Sequence, residues 1–274
     1  MKRQQRYGVM FIGIIVIVLG AYLLSRGSSL ETGPSTSGSQ STQHVSGQGS
    51  TEATNTAALA KLTYQSGKPA VVSVNHNRST LNSDAWRTNH VVYQELDQLN
   101  RTVEPNTAYL ERRNVANDSL RVRQYIQPSG WHQKMVNGQA IINRGHLIAY
   151  SLSGGIGQSG AYDPNEQSGD QNNPKNLFTQ TAFSNQTLQT IYESKVRNAL
   201  KANKRVIYSA QAVFSGDNLM ANGVHLQALS TDGALNFNVY IFNVQPGFTF
   251  DYATGRSRVD HDMKVPTPDE SSED

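Results

Sequence analysis

The sequence predicts an α+β fold: a central antiparallel sheet with a strand-loop-helix insertion that carries a set of polar motifs. Three patterns predict it. Strand-like runs rich in β-branched and aromatic residues crowd the stretch from Arg205 to Val244. Between Ala182 and Asn203, apolar residues recur at three- and four-residue steps. Ahead of that helix lies a long Gly-, Ser-, Asn- and Gln-rich segment, Ser153 to Asn172, of the kind that often carries function.

Taken in chain order, residues 1–26 read as a membrane signal. Lys2, Arg3 and Arg6 form a basic flank, and Gly8 to Leu24 is uncharged and almost wholly apolar. Those roughly 17 residues would span about 26 Å as a helix, close to the thickness of a hydrocarbon core. Tyr7 and Tyr22 sit near the ends, where interfacial aromatics belong, and the basic flank predicts a cytoplasmic N-terminus. The expected location is therefore the cell membrane, single-pass, with the C-terminal domain outside. The alternative is a secreted protein released by cleavage near Ser25. Residues 27–56, rich in Ser, Gly, Thr and Gln, cannot bury enough apolar surface to offset their ordering entropy and read as a flexible tether.

The folded domain is expected over 57–265. Ala70 to Val74 reads as a strand, followed by a turn at Asn75-His76-Asn77. Trp86 to Leu99 has no clean period and reads as loop or short helix. Thr107 to Val122 is mixed, with arginines spaced along a surface. Gln139-Ala140-Ile141-Ile142 is a strand end leading into Asn143-Arg144-Gly145-His146. In the helix, Leu188, Ile191, Tyr192, Val196, Ala199 and Leu200 form the apolar stripe. Strands then follow at Arg205 to Phe214, Val224 to Leu229 and Leu235 to Val244, the last after the turn signal Thr231-Asp232-Gly233. Residues 266–274 are an acidic tail.

Lys and Arg outnumber Asp and Glu by 24 to 21 in 274 residues, a net charge of +3, with a pI near 9.0. Because the tail is acidic, the body is more basic than the total, which favours polyanionic partners. The absence of cysteine excludes disulfides, thiolate metal sites and a cysteine nucleophile. Any metal must be held by His, Asn, Gln, Asp or Glu.

Hydrolysis of a phosphodiester needs a base for water, compensation of negative charge at phosphorus and a stabilised leaving oxygen. A histidine suits the first task. A Mg²⁺-type ion, holding most of its waters and one or two protein oxygens, suits the others. His146, preceded by Arg144 and a glycine that permits a tight turn and close backbone approach, fits the base; each residue alone is as well explained structurally. Arg112, Arg113, Arg121, Arg123, Lys195, Arg197, Lys201, Lys204 and Arg205 are candidates for tracking phosphates. Trp131 and Tyr125 are candidates for base stacking, and His132 for substrate contact.

The ordered set Asn143-Arg144-Gly145-His146, Asn173-Pro174-Lys175-Asn176, Gln180 to Gln186 and Tyr192 to Arg197 resembles the ββα-metal DNA/RNA non-specific endonucleases. Within them it is most similar to the membrane-anchored DNA-entry type of competent streptococci and related secreted DNases. The likeness covers about Tyr125 to Arg256. It implies a ββα-metal catalytic motif in the strand-loop-helix insertion. It further implies His146 as general base, Asn185 as Mg²⁺ ligand (Mn²⁺ as an alternative ion), and Glu193 as the helical glutamate that positions water. Arg144, Asn173 and Gln180 fall where residues support the site or the phosphate, and Lys175, Lys195 and Arg197 are expected to contact substrate. Where the family usually has Asp, this chain has Asn143, which keeps hydrogen-bonding capacity but loses the charge. The expected partners are DNA, RNA as a second substrate, the membrane through the N-terminal helix, and DNA-uptake machinery. The alternative to an enzyme is a nuclease-like DNA-binding receptor whose catalysis has weakened.

Overall fold

The computed structural model describes residues 55–116 and 120–268. The membrane segment, the tether up to residue 54 and the acidic residues 269–274 lie outside the described residues. Among the described residues, no helix is long and apolar enough to cross a membrane.

After a single-turn helix α1 (Thr56–Leu59), the strands run β1 (Val71–Ser73), β2 (His90–Val92), β3 (Asn106–Leu110), β4 (Met135–Val136), β5 (Gln139–Ala140), β6 (Ile142–His146) and β7 (Leu177–Thr181). A π-helical stretch at Ser184–Gln189 leads into the main helix α2 (Thr190–Lys201). The chain closes with β8 (Val206–Val213), β9 (Gly223–Ser230), β10 (Asn236–Phe242), β11 (Phe248–Asp251) and β12 (Arg256–Val259). Six strands form the central sheet in the order β1-β10-β9-β8-β3-β2, every pair antiparallel. The fold is α+β, as the sequence predicts.

Strands β8, β9 and β10 fall within two residues of expectation; the helix expected over Ala182–Asn203 divides into the π-helical stretch and α2, and the β11–β12 hairpin has no counterpart in the sequence reading. Two further stretches depart from it. His90–Val92, expected as loop or short helix, is an edge strand, and Asn106–Leu110, expected as mixed, is the strand between it and β8. Asn106 hides the period because it is polar yet buried: its carboxamide bonds Gln94 N and Lys175 O. The turn at Asn75, His76 and Asn77 takes positive φ at all three residues (49°, 53°, 56°), a region in which Asn and His are enriched.

Helix α2 packs on the sheet through Tyr192, Val196, Ala199 and Leu200, with Leu188 from the π-helical stretch joining the same core. Each of Leu188, Val196 and Leu200, fully buried, stabilises the fold by about 1.5–3 kcal/mol. A smaller core of Ile141, Ile142 and Met220, flanked by Trp131, Phe248 and Phe250, lies under the start of β6. Asn243 fastens β7 to the body: its Oδ1 accepts from Thr181 N (2.8 Å), and its Nδ2 donates to Thr179 O (3.0 Å) and Ala221 O (2.9 Å).

Candidate active site

Strand β6 pairs antiparallel with β7, placing Asn143 opposite Gln180, Arg144 opposite Thr179 and His146 opposite Leu177. The chain leaves β7 and turns at once into the π-helical stretch. Two side-chain oxygens cap that start: Gln245 Oε1 accepts from Phe183 N (2.9 Å), and Thr181 Oγ1 accepts from Ser184 N (3.1 Å). The result is two strands and a helix arranged around one cleft of about 330 Å³.

His146, Arg144, Asn143, Asn185, Glu193 and Arg197 all line that cleft. The other four expected site residues do not. Gln180 is fully buried behind β6, bonded to Ser184 Oγ (3.0 Å) and Gln189 Oε1 (2.9 Å). Asn173 is buried, accepting from Lys175 N and donating to Asp170 Oδ2. Lys175 is ion-paired with Glu95, and Lys195 lies over the Tyr192 ring. Of the candidate phosphate-tracking residues, Arg121 and Arg197 line the cleft and Arg123 lies near enough to Arg144 to bear on its charge. Arg113 pairs with Glu111, Lys204 pairs with Asp232, and Arg205 stacks on Trp86.

Gln186, the last residue of the Gln180-to-Gln186 motif, also lines the cleft, as do Gln124 and Gln171, to which the sequence alone does not point. Gln171 ends the long polar loop, so that loop's composition was the available signal.

His146 is part-buried, and its Nε2 lies 3.3 Å from the Gln171 carbonyl, a long contact. A carbonyl can only accept, so this contact calls for a proton on Nε2, whereas the Gln124 amide nitrogen, a donor at the same distance, calls for a bare one; in the tautomer that serves the Gln171 carbonyl, the Nδ1 lone pair is the basic site. Gln124 Nε2 sits 3.3 Å from the same nitrogen and reaches the same carbonyl. Burial lowers the imidazole to about 4; the Gln171 bond opposes this and the Arg121 charge adds to it. Glu193 is buried, which pushes its carboxyl up, against the Gln189 hydrogen bond and the Arg197 charge. Arg144 stacks on Trp131 (4.3 Å to the ring) and donates through Nε to Ile126 O, which aims the guanidinium into the cleft without consuming its terminal nitrogens.

Gly145 corrects the sequence reading. It lies within β6, not in a tight turn, and a Cβ there would overlap Gln180 Oε1 and sit 2.7 Å from Gln180 Cβ. The glycine makes room for a buried glutamine. Gly145→Ala should therefore cost about 1–3 kcal/mol, since the hydrogen-bonded Gln180 cannot step aside. Thermal denaturation checks this, and an unchanged Tm would show that Gln180 moves freely.

The donor set fits a hard, hydrated cation. Among the described residues, no three His, Cys, Asp or Glu side chains gather to make a metal cage. The cleft offers carboxamide oxygens from Asn185 and Asn143 and the carboxylate of Glu193; the unpartnered Asn143 Nδ2 is a donor, suited to a phosphate oxygen rather than to the cation. One or two protein oxygens suffice for Mg²⁺, which keeps its remaining waters.

A family model described as DNA/RNA non-specific endonuclease matches residues 53–259. Among solved structures, NucA from Streptococcus agalactiae with magnesium ion bound is 32% identical, with a TM-score of 0.59, covering 70% of this chain and 89% of that one. The same nuclease with no metal bound gives 33% identity and a TM-score of 0.57, covering 70% and 87%. Sda1 nuclease with bound zinc ion, at 19% identity and TM-score 0.51 over 68% of this chain and 95% of that one, shares the fold.

Proposed function

The chain belongs to the DNA/RNA non-specific endonuclease family, and from that premise we propose that it is a Mg²⁺-dependent endonuclease that cuts DNA, and RNA as a second substrate, at the outer face of the cell membrane. The observation that carries this reading is the convergence of His146 and Asn185, 39 residues apart (185 − 146), on one cleft with Arg144 and Glu193. A solved relative at 32% identity holds magnesium.

Arg144, with Arg121 and Arg197 at the same cleft, binds the phosphate and steers the polyanion inward. His146 takes the proton from the attacking water at Nδ1, while its Nε2–H donates to the Gln171 carbonyl. Glu193 orients water within the cleft. Asn185 would hold the cation, with Asn143 beside it. A bound divalent ion supplies Lewis-acid stabilisation of the charge at phosphorus and on the 3′ leaving oxygen. With asparagine at position 143, the negative charge that would face the cation comes from Glu193 and the substrate phosphate.

The basic flank and apolar run at 1–26 support a membrane anchor, the polar segment at 27–56 a tether, and 57–265 the nuclease domain they present. That arrangement suits degradation of incoming DNA during uptake, or of extracellular DNA. Incubating the protein with supercoiled plasmid and with RNA, with Mg²⁺ or with excess chelator, tests the reading. Nicking in Mg²⁺ alone is expected. Full activity in chelator would remove the metal, and no cleavage of either polymer in Mg²⁺ would favour the receptor.

A further inference from the structure

We infer that Gln189 is a positioning residue for phosphodiester hydrolysis, its one carboxamide aiming the Glu193 carboxylate and fixing the backbone of His146 together. The inference rests on the roles given above to Glu193 and His146.

Gln189 is fully buried at the junction between the π-helical stretch and α2. Its Nε2 carries two hydrogens. One goes to His146 O (2.8 Å) and the other to Glu193 Oε1 (2.8 Å). Its Oε1 accepts from Gln180 Nε2 (2.9 Å), which also donates to Ser184 Oγ (3.0 Å). Both donors and the acceptor are thus engaged by short contacts in a buried setting, where leaving any one unmade is costly.

The chemistry demands this side chain. Two donors and an acceptor on one planar group are what a primary amide offers; an ionised glutamate only accepts, and methionine offers no donor. The partners come from three elements. Glu193 is one helical turn along α2, His146 ends β6, and Gln180 lies in β7. The amide therefore welds the helix to the strand at the two points where catalytic groups leave them. Gln180 in turn stands where Gly145 lacks a side chain. A chain of buried amides thus runs from the bare backbone of Gly145 to the carboxylate in the cleft. Gln189 itself does not line that cleft, so it acts through Glu193 and His146 rather than on substrate.

A double-mutant cycle on the full-length protein tests this with plasmid cleavage. Gln189→Met, of similar length but without hydrogen bonds, should lower kcat by about 10-fold or more with KM within about 2-fold. In a Glu193→Gln background the same change should lower kcat by several-fold less than it does in the wild type, the part acting through Glu193 being already lost and the part acting through His146 remaining. If Gln189→Met fails to fold, Gln180→Met loosens the outer end of the chain and should show a smaller kcat loss with the same non-additivity. Multiplicative losses in the double variant, or wild-type kcat in a folded Gln189→Met, would overturn the inference. Wild-type kcat in Glu193→Gln alone would instead remove the role of Glu193, and this inference with it.

Discussion

His146→Ala should lower the rate of plasmid nicking by about 10²- to 10⁴-fold, the range that a positioned general base contributes. DNA binding should stay within a few-fold, because the arginines that meet phosphate are untouched. The pH dependence sharpens the expectation. Desolvation lowers the His146 imidazole from its ordinary value near 6.5 to about 4, so the neutral, basic form persists in the folded protein well below pH 6. The acid limb of kcat/KM should thus fall toward pH 4 rather than pH 6.5. The same shift has a consequence for stability. A group depressed in the folded state contributes stability above its unfolded value near 6.5, and that contribution is lost as pH falls toward about 4. Denaturant unfolding at pH 7 and pH 5 should show a steeper loss in wild type than in His146→Ala. Nicking by His146→Ala at the wild-type rate would eliminate the imidazole as base.

Asn185→Ala should raise the Mg²⁺ concentration needed for half-maximal nicking at least about 10-fold, since even indirect partners of a metal cost 10- to 100-fold in affinity when removed. Asn185→Asp, which keeps an oxygen at the same place, should retain cleavage. Calorimetric titration with Mg²⁺ in the absence of DNA reads the same loss without relying on turnover. If Asn185→Ala binds Mg²⁺ and cuts as the wild type does, the cation is held by other oxygens of the cleft. Its position in a π-helical stretch matters here: the wider turn displaces Asn185 from the regular stripe that α2 continues.

The sheet's C-terminal half and the main helix were legible because their apolar residues repeat with the period of their element. The site was legible through the order of its motifs, which no single residue could have shown. The rest escaped for a common reason. Strand β7 contains Thr179, Gln180 and Thr181, which look like surface residues but are buried, with Thr179 bonded to Ser129, Gln180 to Gln189 and Thr181 to Val244. Asn106 does the same in β3. Gln124, Gln171 and Gln189 carry no charge and sit in no motif, so only their distances to His146 and Glu193 mark them. The sequence offers for Gly145 a tight turn or a close backbone approach, and nothing in it shows that the approaching group is Gln180.

Asn243, holding β7 through two carboxamide hydrogen bonds and Ala221 through a third, shows the temperament of the whole scaffold. Such uncharged rivets neither titrate nor feel ionic strength, whereas the arginines that greet a polyanion do. Brine should therefore release the substrate long before it loosens the machine, and a desalted sample should resume cutting without having to refold.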